Sequence, residues 1–575
     1  MRITSSKSKN AESFYITRSF IDENGHNTTK TVRKLGTLKQ LMEELKTDRD
    51  GVIAWCKQQA ELETQKEKED REESQILVPL QLNKPIEKDM QRVFSVGYLP
   101  IQKLYSQMRF NNIFRNIVRR YDYEYDLESI FSDLVYARIL EPGSKRFSYA
   151  FAQSFLEQPK YHLYDVYRAL DVLDAEMDYI QSEIYKNSNF VYARNNKVVY
   201  YDCTNFYFEI EEEDDFRKYG KEKNNRPAPI VQMGLFMDRD GIPMQFSIFE
   251  GNENEQKSLI RNEQKILNQF GAEKFVICTD SGLASVTNKR FNDRDDRAFI
   301  VTQSIKKLKK EEKEWALQKT GFRRVGDGAK VSDISLIQDT EGLYYKEFPL
   351  EQGGLEQRLI VTYSPKYAQY QKKLRQAQIE RAKKMIETNS VKRISKKETD
   401  PKRFIKRMDI TEEGELAQKT TYFLNQERIT DEERYDGFYA LTTDLLDDDI
   451  ESILKVSEGR WEIEESFMIM KDEFRSRPVN VRLPGHIRAH FLTCYTALLL
   501  FRILEKKLQE AYTAEALIHT LREMKVTRIS GEVYVPSYTR TEITDAIHDV
   551  CGFRTDYQAM RPAKLRHAVM LSKLR

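Results

Sequence analysis

Two stretches of sequence, Val198-Val-Tyr-Tyr-Asp202 and Lys274-Phe-Val-Ile-Cys-Thr-Asp280, decide the fold of this chain. Each is a run of β-branched and aromatic residues that predicts a buried strand, and each strand is expected to end in a carboxylate. If the two strands are neighbours in one sheet, Asp202 and Asp280 lie together at one sheet edge.

The elements around these stretches predict a mixed sheet. Residues 230 to 237 and 243 to 250 predict two strands joined across Asp238-Arg-Asp-Gly241, a helix is expected at about 255 to 270, and a further strand at 298 to 302. Three neighbouring strands followed by alternating helix and strand are typical of an α/β, ribonuclease-H-like fold with helices on both faces.

This order is interrupted from about 305 to 435. The interruption contains strand-like pieces at 343 to 348 and 358 to 363, and Gly437-Phe-Tyr-Ala-Leu-Thr-Thr443 predicts the strand that returns to the sheet. A structureless loop of this length inside a compact core is anomalous, so we expect a separately folded, β-rich insertion domain.

The outer regions are predicted to be mostly helical. Residues 13 to 36 predict a hairpin with its turn at Glu23-Asn-Gly25, and 86 to 190 predict helices with one break at Glu141-Pro-Gly-Ser144. The expected divisions are an N-terminal hairpin and helix (1–85), a helical module (86–195), a first segment of the sheet core (196–304), the insertion domain (305–435), a second segment of the sheet core (436–482) and a C-terminal helical region (483–575).

Composition narrows the class of protein. The chain has 575 residues, and its 93 Lys+Arg nearly cancel its 91 Asp+Glu, so any DNA-binding basic surface must be local. Its five cysteines show no CxxC spacing, which indicates neither a zinc site nor a disulfide framework and favours a reducing, cytosolic setting. No signal peptide is evident and the apolar run from Phe491 to Phe501 is too short for a membrane span, so we expect no membrane association.

A third acidic residue lies in Ser457-Glu-Gly-Arg-Trp-Glu-Ile-Glu-Glu-Ser-Phe-Met-Ile-Met-Lys471. Arg460, Glu464 and Lys471 recur at intervals of four and seven, which places them on one helix face. Three clustered carboxylates, Asp202, Asp280 and Glu464, are the ligands that hard divalent cations prefer, and a pair of such ions supports phosphodiester cleavage.

Each acid has an ordinary interpretation when it is taken alone. An aspartate after a strand is commonly a turn or helix-cap residue, and Arg460 with Glu464 is also a plain i,i+4 ion pair. Glu464 has acidic competitors close by in Glu458, Glu462 and Glu465. The hypothesis of a metal site therefore depends on the conjunction of the three segments.

Together these segments resemble a known family. Arg460-x3-Glu464-x6-Lys471 is similar to the Y-x2-R-x3-E-x6-K signature of insertion-sequence transposases of the "IS four" group, which have a retroviral-integrase-like DDE core. The first and second aspartate motifs of that group resemble Val198-Val-Tyr-Tyr-Asp-Cys-Thr204 and Cys278-Thr-Asp-Ser-Gly-Leu-Ala-Ser285, and Leu483 to Thr493 resembles the segment after its signature helix. Ser457 stands where the signature has tyrosine.

The resemblance implies a function and a site. Asp202, Asp280 and Glu464 would be the catalytic residues and would bind Mg²⁺ or Mn²⁺, with two ions expected, while Arg460 and Lys471 would contact DNA phosphates. It implies that 86–195 is a DNA-binding module and that 196–304 and 436–482 form the catalytic core. It also implies double-stranded DNA partners, namely terminal inverted repeats and target DNA, a homodimer in the paired-end complex, and a bacterial cytoplasmic protein that joins the nucleoid when bound to DNA.

A basic segment offers a second candidate DNA contact. The window from Lys366 to Arg407 holds 15 Lys/Arg against 4 Asp/Glu, enough charge to neutralise several phosphates, although a solvated lysine-rich helix face is the alternative. Trp315 follows a lysine cluster, and it is more often a packed tryptophan than a base-stacking one in such a context.

The sequence is consistent with three candidate functions. The first is a transposase that cuts DNA at the element ends by metal-dependent hydrolysis and transfers the 3′-hydroxyl ends to target DNA. The second is a non-cutting DNA-binding regulator derived from a transposase, and the third is a nuclease of the same fold that lacks strand transfer.

Overall fold

The computed structural model describes residues 1–8, 11–21, 27–72, 76, 78–121, 123–220, 228–270, 275–294, 296–391, 393–395, 397–410, 419–530 and 533–574. The chain divides into two compact units, Met1–Lys88 and Asp89–Arg575.

The first unit is a three-stranded antiparallel sheet with two helices. Its elements are β1 (Arg2–Lys7), β2 (Glu12–Ile21), β3 (Asn27–Thr37), α1 (Leu38–Leu45) and α2 (Arg49–Glu72). The predicted hairpin is present as β2 and β3, while its predicted turn lies outside the described residues. Strand β1, which pairs with β2, was not predicted.

The second unit begins with a helical region. Its elements are β4 (Val93–Ser95), α3 (Leu99–Gln107), α4 (Phe110–Val118), α5 (Leu127–Leu140), α6 (Lys145–Ala152), α7 (Leu163–Ala175) and α8 (Met177–Ser188). The predicted break lies between α5 and α6, where the Ser144 side chain accepts a hydrogen bond from the amide of Phe147 at 3.2 Å and so caps α6.

A large mixed sheet follows. It begins with β5 (Val198–Tyr207), β6 (Ile230–Asp238), β7 (Pro243–Glu250), α9 (Glu255–Phe270), β8 (Phe275–Thr279), α10 (Val286–Asn292) and β9 (Arg297–Thr302). The strand order is β7-β6-β5-β8-β9; β5, β6 and β7 pair antiparallel, whereas β5, β8 and β9 pair parallel. Helices lie on both faces of these five strands, as predicted, with α9 on one face and α15 and α16, defined below, on the other.

The sheet does not stop at the interruption. The elements there are α11 (Lys310–Leu317), β10 (Phe322–Arg324), β11 (Lys330–Val331), β12 (Tyr344–Gln352), β13 (Leu355–Tyr363), α12 (Pro365–Glu387), β14 (Ile405–Ile410), β15 (Lys419–Leu424), α13 (Gln426–Glu433) and the returning strand β16 (Phe438–Thr443). Strand β16 pairs with β9 on one side and with β13 on the other, so ten strands form one sheet. Strands β10 to β13 thus extend the main sheet, and only β14 and β15 form a separate pair.

The C-terminal region is mostly helical, as predicted. It comprises α14 (Ile450–Glu458), α15 (Trp461–Met468), a π-helical turn (Ile469–Glu473), α16 (Pro484–Lys507), α17 (Ala514–Glu523), β17 (Lys525–Ser530), β18 (Val533–Pro536), α18 (Glu542–Cys551) and α19 (Pro562–Ser572). By length and composition α16 is the one helix among the described residues that could cross a membrane. Because 94% of its apolar window is buried within the protein, α16 is a core helix here.

Candidate active site

Asp202 lies in the middle of β5 and not at its end. The strand continues to Tyr207 because Cys203 to Tyr207 keep their antiparallel pairing with β6, so the predicted position at a strand end was wrong. The parallel pairing of β5 with β8 does end near Asp202, because the last paired residues are Tyr201 and Thr279. Asp202 is half-buried, and its Oδ1 accepts a hydrogen bond from the amide of Cys203 at 2.7 Å.

Asp280 follows β8 directly, as predicted. Because Tyr201 is paired with Thr279, the next position on each strand is an aspartate, Asp202 on β5 and Asp280 after β8. Adjacent strands are about 5 Å apart, which brings the two backbones within reach of a shared cation. The Asp280 carboxylate accepts a hydrogen bond from the amide of Gly282 and caps a short 3-10 helix.

The segment from α14 to the π-helical turn lies across the same face of β5. Tyr200, Asp202 and Thr204 alternate onto one face of the strand. The Tyr200 hydroxyl donates to the carbonyl of Val456 at 3.0 Å, and Lys471 Nζ donates to Thr204 Oγ1. Glu464 therefore belongs to a segment that is fixed to β5 on either side of Asp202.

Glycine is required where this segment approaches β5. A Cβ atom on Gly459 would lie 2.2 Å from the Tyr200 hydroxyl, closer than any side chain allows. Gly459 also separates α14 from α15, so the single helical stretch expected around Glu464 is two helices followed by a π-helical turn.

Glu464 and Arg460 form the predicted ion pair. Arg460 NH1 lies 3.3 Å from Glu464 Oε1, and the Glu464 side chain is 60% exposed. Burial opposes the charge of the Arg460 guanidinium, but the neighbouring anionic groups, Glu464 and Asp280 among them, raise its pKa. A permanently charged guanidinium thus lies beside two of the three predicted ligands.

The other acids of the signature helix have different partners. Arg502 on α16 is 2% exposed and its NH1 lies 2.9 Å from Glu465 Oε2, while its NH2 donates to Glu462. Arg502 also bonds to Glu505 at 3.0 Å. Because Glu462 and Glu465 face this buried cation, Glu464 is the acid that α15 leaves for the site.

The three predicted ligands fit a hard divalent cation by chemistry, since all are carboxylates and none has the nitrogen or sulfur atoms that zinc prefers. Among the residues that the structure describes, their oxygens do not all lie within 4.8 Å of one another. Glu464 faces Arg460 and Asp280 faces the amide of Gly282, so each of these two carboxylates now has a partner within its own segment.

The described residues contain one group of potential ligands within 4.8 Å, Asp545, His548 and Asp556, which the sequence reasoning missed. Its sequence signal is the Asp-x2-His spacing on α18. Hydrogen bonds from Arg540 and Arg554 lower the pKa of Asp545 to about 2, and Arg554 NH2 lies 2.7 Å from Asp556. Because these guanidinium groups already neutralise the carboxylates, the cluster is better described as a partly exposed ion-pair network than as a metal site.

The basic window from Lys366 to Arg407 contains most of helix α12, on which one cation is buried and paired while others are exposed. On α12, Arg375 is buried against Asp436 at 2.5 Å, so this cation has a structural role. Lys373, Arg381 and Lys384 are exposed, make no ion pair with any described residue, and recur at helical spacing on one side. Outside the window, Trp315 packs on Phe348 at 5.0 Å between ring centroids, the ordinary interpretation of that tryptophan.

Fold and site together define an α/β protein in which two aspartates hold neighbouring positions along two adjacent parallel strands, and a helix packed on one of these strands carries a third acid. The family profile described as "Transposase DDE domain" matches residues 194–500, which is more than half of the 575 residues. The chain belongs to this family and is therefore a DDE transposase, a class of DNA-cleaving and DNA-transferring enzymes that generally use divalent metal.

One solved structure that resembles the chain is a cryo-EM structure of the piggyBac transposase synaptic complex with hairpin DNA. The likeness covers 84% of this chain and 88% of that chain, with 9% sequence identity and a TM-score of 0.37. A score of this size does not establish a common fold. No curated protein matches the chain.

Proposed function

We propose that this protein is an insertion-sequence transposase of the "IS four" group with a ribonuclease-H-like core. It binds the terminal inverted repeats of its element, cleaves DNA at the element ends and transfers the 3′-hydroxyl ends to target DNA. The observation that carries the proposal is the register of β5 and β8, which makes Asp202 and Asp280 neighbours beneath the helix of Glu464. The strand order β7-β6-β5-β8-β9, three antiparallel strands and then two parallel ones, supports the fold assignment.

Asp202, Asp280 and Glu464 are the residues that would hold Mg²⁺ or Mn²⁺, and their number and chemistry suit two ions. Bound there, the ions would supply Lewis-acid activation of water and of the freed 3′-hydroxyl for in-line attack on a phosphodiester. Neither attack requires a covalent link between protein and DNA.

Arg460 has the position of a phosphate-binding residue. Its guanidinium is half-buried between Glu464 and the end of β8, and its Nε has no hydrogen-bond partner among the described residues. A guanidinium holds phosphate oxygens through two parallel hydrogen bonds, so Arg460 can orient a scissile phosphate beside the carboxylates. Lys471 would add positive charge from the other end of the segment, where its Nζ now bonds to Thr204.

DNA flanking the cleaved bond would reach the exposed cations of α12. Lys373, Arg381 and Lys384 present a row of positive charge that is not consumed by ion pairs with described residues. Such a row binds phosphates without reading bases, and its contribution to affinity falls as salt rises. The active form would be a homodimer that holds two element ends in the bacterial cytoplasm.

The test is cleavage of a terminal-repeat substrate in Mg²⁺. Asp202→Ala, Asp280→Ala and Glu464→Gln are each expected to abolish nicking and to leave end binding largely intact in a mobility-shift assay. Glu451→Gln, a charge-matched change at an exposed position of α14, is the control and should cut normally. If any of the three variants cuts as the parent does, the assignment of the site fails.

The same assay separates the two rival functions. A nuclease without strand transfer would nick the substrate but never join the product to a target plasmid. A non-cutting regulator would shift the terminal-repeat DNA and show no nicking in Mg²⁺ or Mn²⁺.

A further inference from the structure

The helical region contains a polar cavity of about 420 Å³ that includes no residue of the candidate active site. Helices α3 and α5 form two of its walls, the segment from Phe155 to Tyr161 forms a third, and Lys573 after α19 lies at its rim. The volume far exceeds the roughly 30 Å³ that one water occupies in the liquid, so the cavity has room for a small organic molecule.

The walls of this cavity carry an excess of negative charge. Four carboxylates line it, against two lysines, Lys160 and Lys573; the carboxylates are those of Asp126, Glu128, Asp133 and Glu157. Lys573 is engaged with Glu157, with Nζ 2.6 Å from Oε2. Of the two lysines in the lining, only Lys160 is not already paired with one of these four acids in the described residues.

Glu128 is the least satisfied of these acids. The Asp126 carboxylate caps α5 by accepting from the amide of Ser129 at 3.0 Å, and Asp133 accepts from the Tyr161 hydroxyl at 2.8 Å. Glu128 makes no hydrogen bond or ion pair with any residue that the structure describes. A half-buried carboxylate without a partner is a strong acceptor for a ligand that brings N–H donors.

An independent observation points into the same cavity. Tyr105 is 3% exposed, and its hydroxyl has no hydrogen-bond partner within the described ranges of the chain, although it lines the cavity near Glu128. Its ring is fixed by stacking on Phe110 at 3.9 Å and by an edge contact with Tyr136 at 5.8 Å. A buried hydroxyl that is held in place without a partner is usually satisfied by water or a ligand.

We propose that this cavity binds a small aliphatic diamine or polyamine. Ammonium groups supply N–H donors and positive charge to Glu128, Asp133 and the Tyr105 hydroxyl, and the methylene chain between them suits the aromatic walls. The separation of the carboxylates favours a ligand with several spaced charges over a single metal ion, because these acids do not form a group of ligand atoms within 4.8 Å.

The protonation of the acids agrees with this assignment. Burial raises the pKa of Glu128 and that of Asp133, each to about 7. The charged groups that face Glu128 are Asp126, Lys573 and Arg115, and the groups that face Asp133 are Tyr161, Asp126, Glu157 and Lys573. A bound cation favours the ionised carboxylates, so binding releases protons and affinity should rise by about tenfold per acid between pH 6 and pH 8.

The experiment is titration calorimetry of putrescine and spermidine into the full-length protein, free of DNA and metal, at pH 8. We expect one saturable site that Glu128→Gln and Asp133→Asn weaken at least tenfold. Glu124→Gln removes the same charge just outside the cavity and should leave binding unchanged. Tyr105→Phe keeps the ring and removes only the acceptor, so a severalfold loss is expected even if an acid variant folds poorly.

Several results would overturn the proposal. The proposal fails if the amines show no saturable binding, or if the cavity variants bind them as tightly as Glu124→Gln does. It also fails if an equal concentration of Mg²⁺ displaces the amine. An amine affinity of the parent protein that does not change between pH 6 and pH 8 would also contradict the proposal. None of these results bears on DNA cleavage, because no cavity residue belongs to the candidate active site.

Discussion

Glutamate side chains lie on two faces of α15 and have different partners on each. Glu462 and Glu465 are held by the buried guanidinium of Arg502, whereas Glu464 is exposed and its one ion-pair partner among the described residues is Arg460. A carboxylate that already neutralises a buried cation has little capacity for another one. The comparison shows that the partner of an acid, more than its position in a motif, separates a stabilising acid from one available for catalysis.

The largest effect should come from Glu464 and should be confined to activity. Glu464→Gln is expected to lower Mg²⁺-dependent cleavage by about a thousandfold or more, because it removes one charged ligand of the proposed metal site. Its melting temperature should match that of the parent, since the side chain is mostly solvated. Single-turnover nicking and a thermal melt measure the two quantities, and a large loss of stability with normal cutting would reverse the comparison.

On the face of α15 that contacts Arg502, we expect a mutation to lower stability. Arg502→Met would remove the cation shared by Glu462, Glu465 and Glu505, of which only Glu462 keeps a further contact, to Lys506 at 3.7 Å, among the described residues. Losing one partner of a buried ion-pair network costs about 3–5 kcal/mol of stability. Urea denaturation gives the free energy of unfolding directly. Unchanged stability would mean that the network is not what holds α15 against α16.

A third kind of acid, buried without a cation in contact, sharpens the comparison. Glu263 on α9 is fully buried, its Oε2 accepts from Asn292 Nδ2 at 3.0 Å, and burial raises its pKa to about 7. Its folded state retains a proton that the unfolded chain loses above about pH 4.5. Its contribution to stability is therefore complete below that pH and is lost as the pH rises through about 7.

Glu263→Gln should remove this pH dependence. The variant is expected to be more stable than the parent by about 2–3 kcal/mol at pH 8 and nearly equal to it at pH 4. Denaturation curves at the two pH values test the difference. A variant that is less stable than the parent at pH 8 would show that Asn292 needs a charged partner.

The smallest effect should come from the exposed cations of α12. Replacing Lys373, Arg381 and Lys384 by glutamine should weaken DNA binding uniformly across sequences and lower the salt dependence of log K by up to about 0.9 for each lost phosphate contact. Lys366→Gln with Lys383→Gln is the matched control on the same helix, because these lysines are paired with Glu341 and Glu380. An equal loss per removed charge in the control would assign the effect to overall charge.

Local sequence was sufficient for much of the sheet and for the position of Asp280 directly after β8. The strands β5 to β9 and the return at β16 are runs of strand-forming residues bounded by turns, so each is predictable from its own sequence. Asp202 was misplaced because Cys203 to Tyr207 are also strand formers, and only pairing with β6 shows that the strand continues.

The remainder depends on contacts between distant residues. The sequence around Glu464 does not distinguish it from Glu462 or Glu465, because the distinction comes from Arg502, 37 to 40 residues further along the chain. The pairing of β13 with β16 likewise joins segments about 80 residues apart, and no local pattern specifies it. The sequence therefore predicted a β-rich insertion but not that its strands β10 to β13 continue the main sheet.

That continuity limits how the protein can be shortened. Strand β16 has hydrogen-bonded neighbours on both sides, β9 and β13, so an enzyme trimmed of residues 305–435 would expose one complete edge of a largely buried strand. An unprotected edge of this kind invites pairing with other chains. A truncation designed to isolate the catalytic half is thus expected to self-associate unless the new edge is capped or charged.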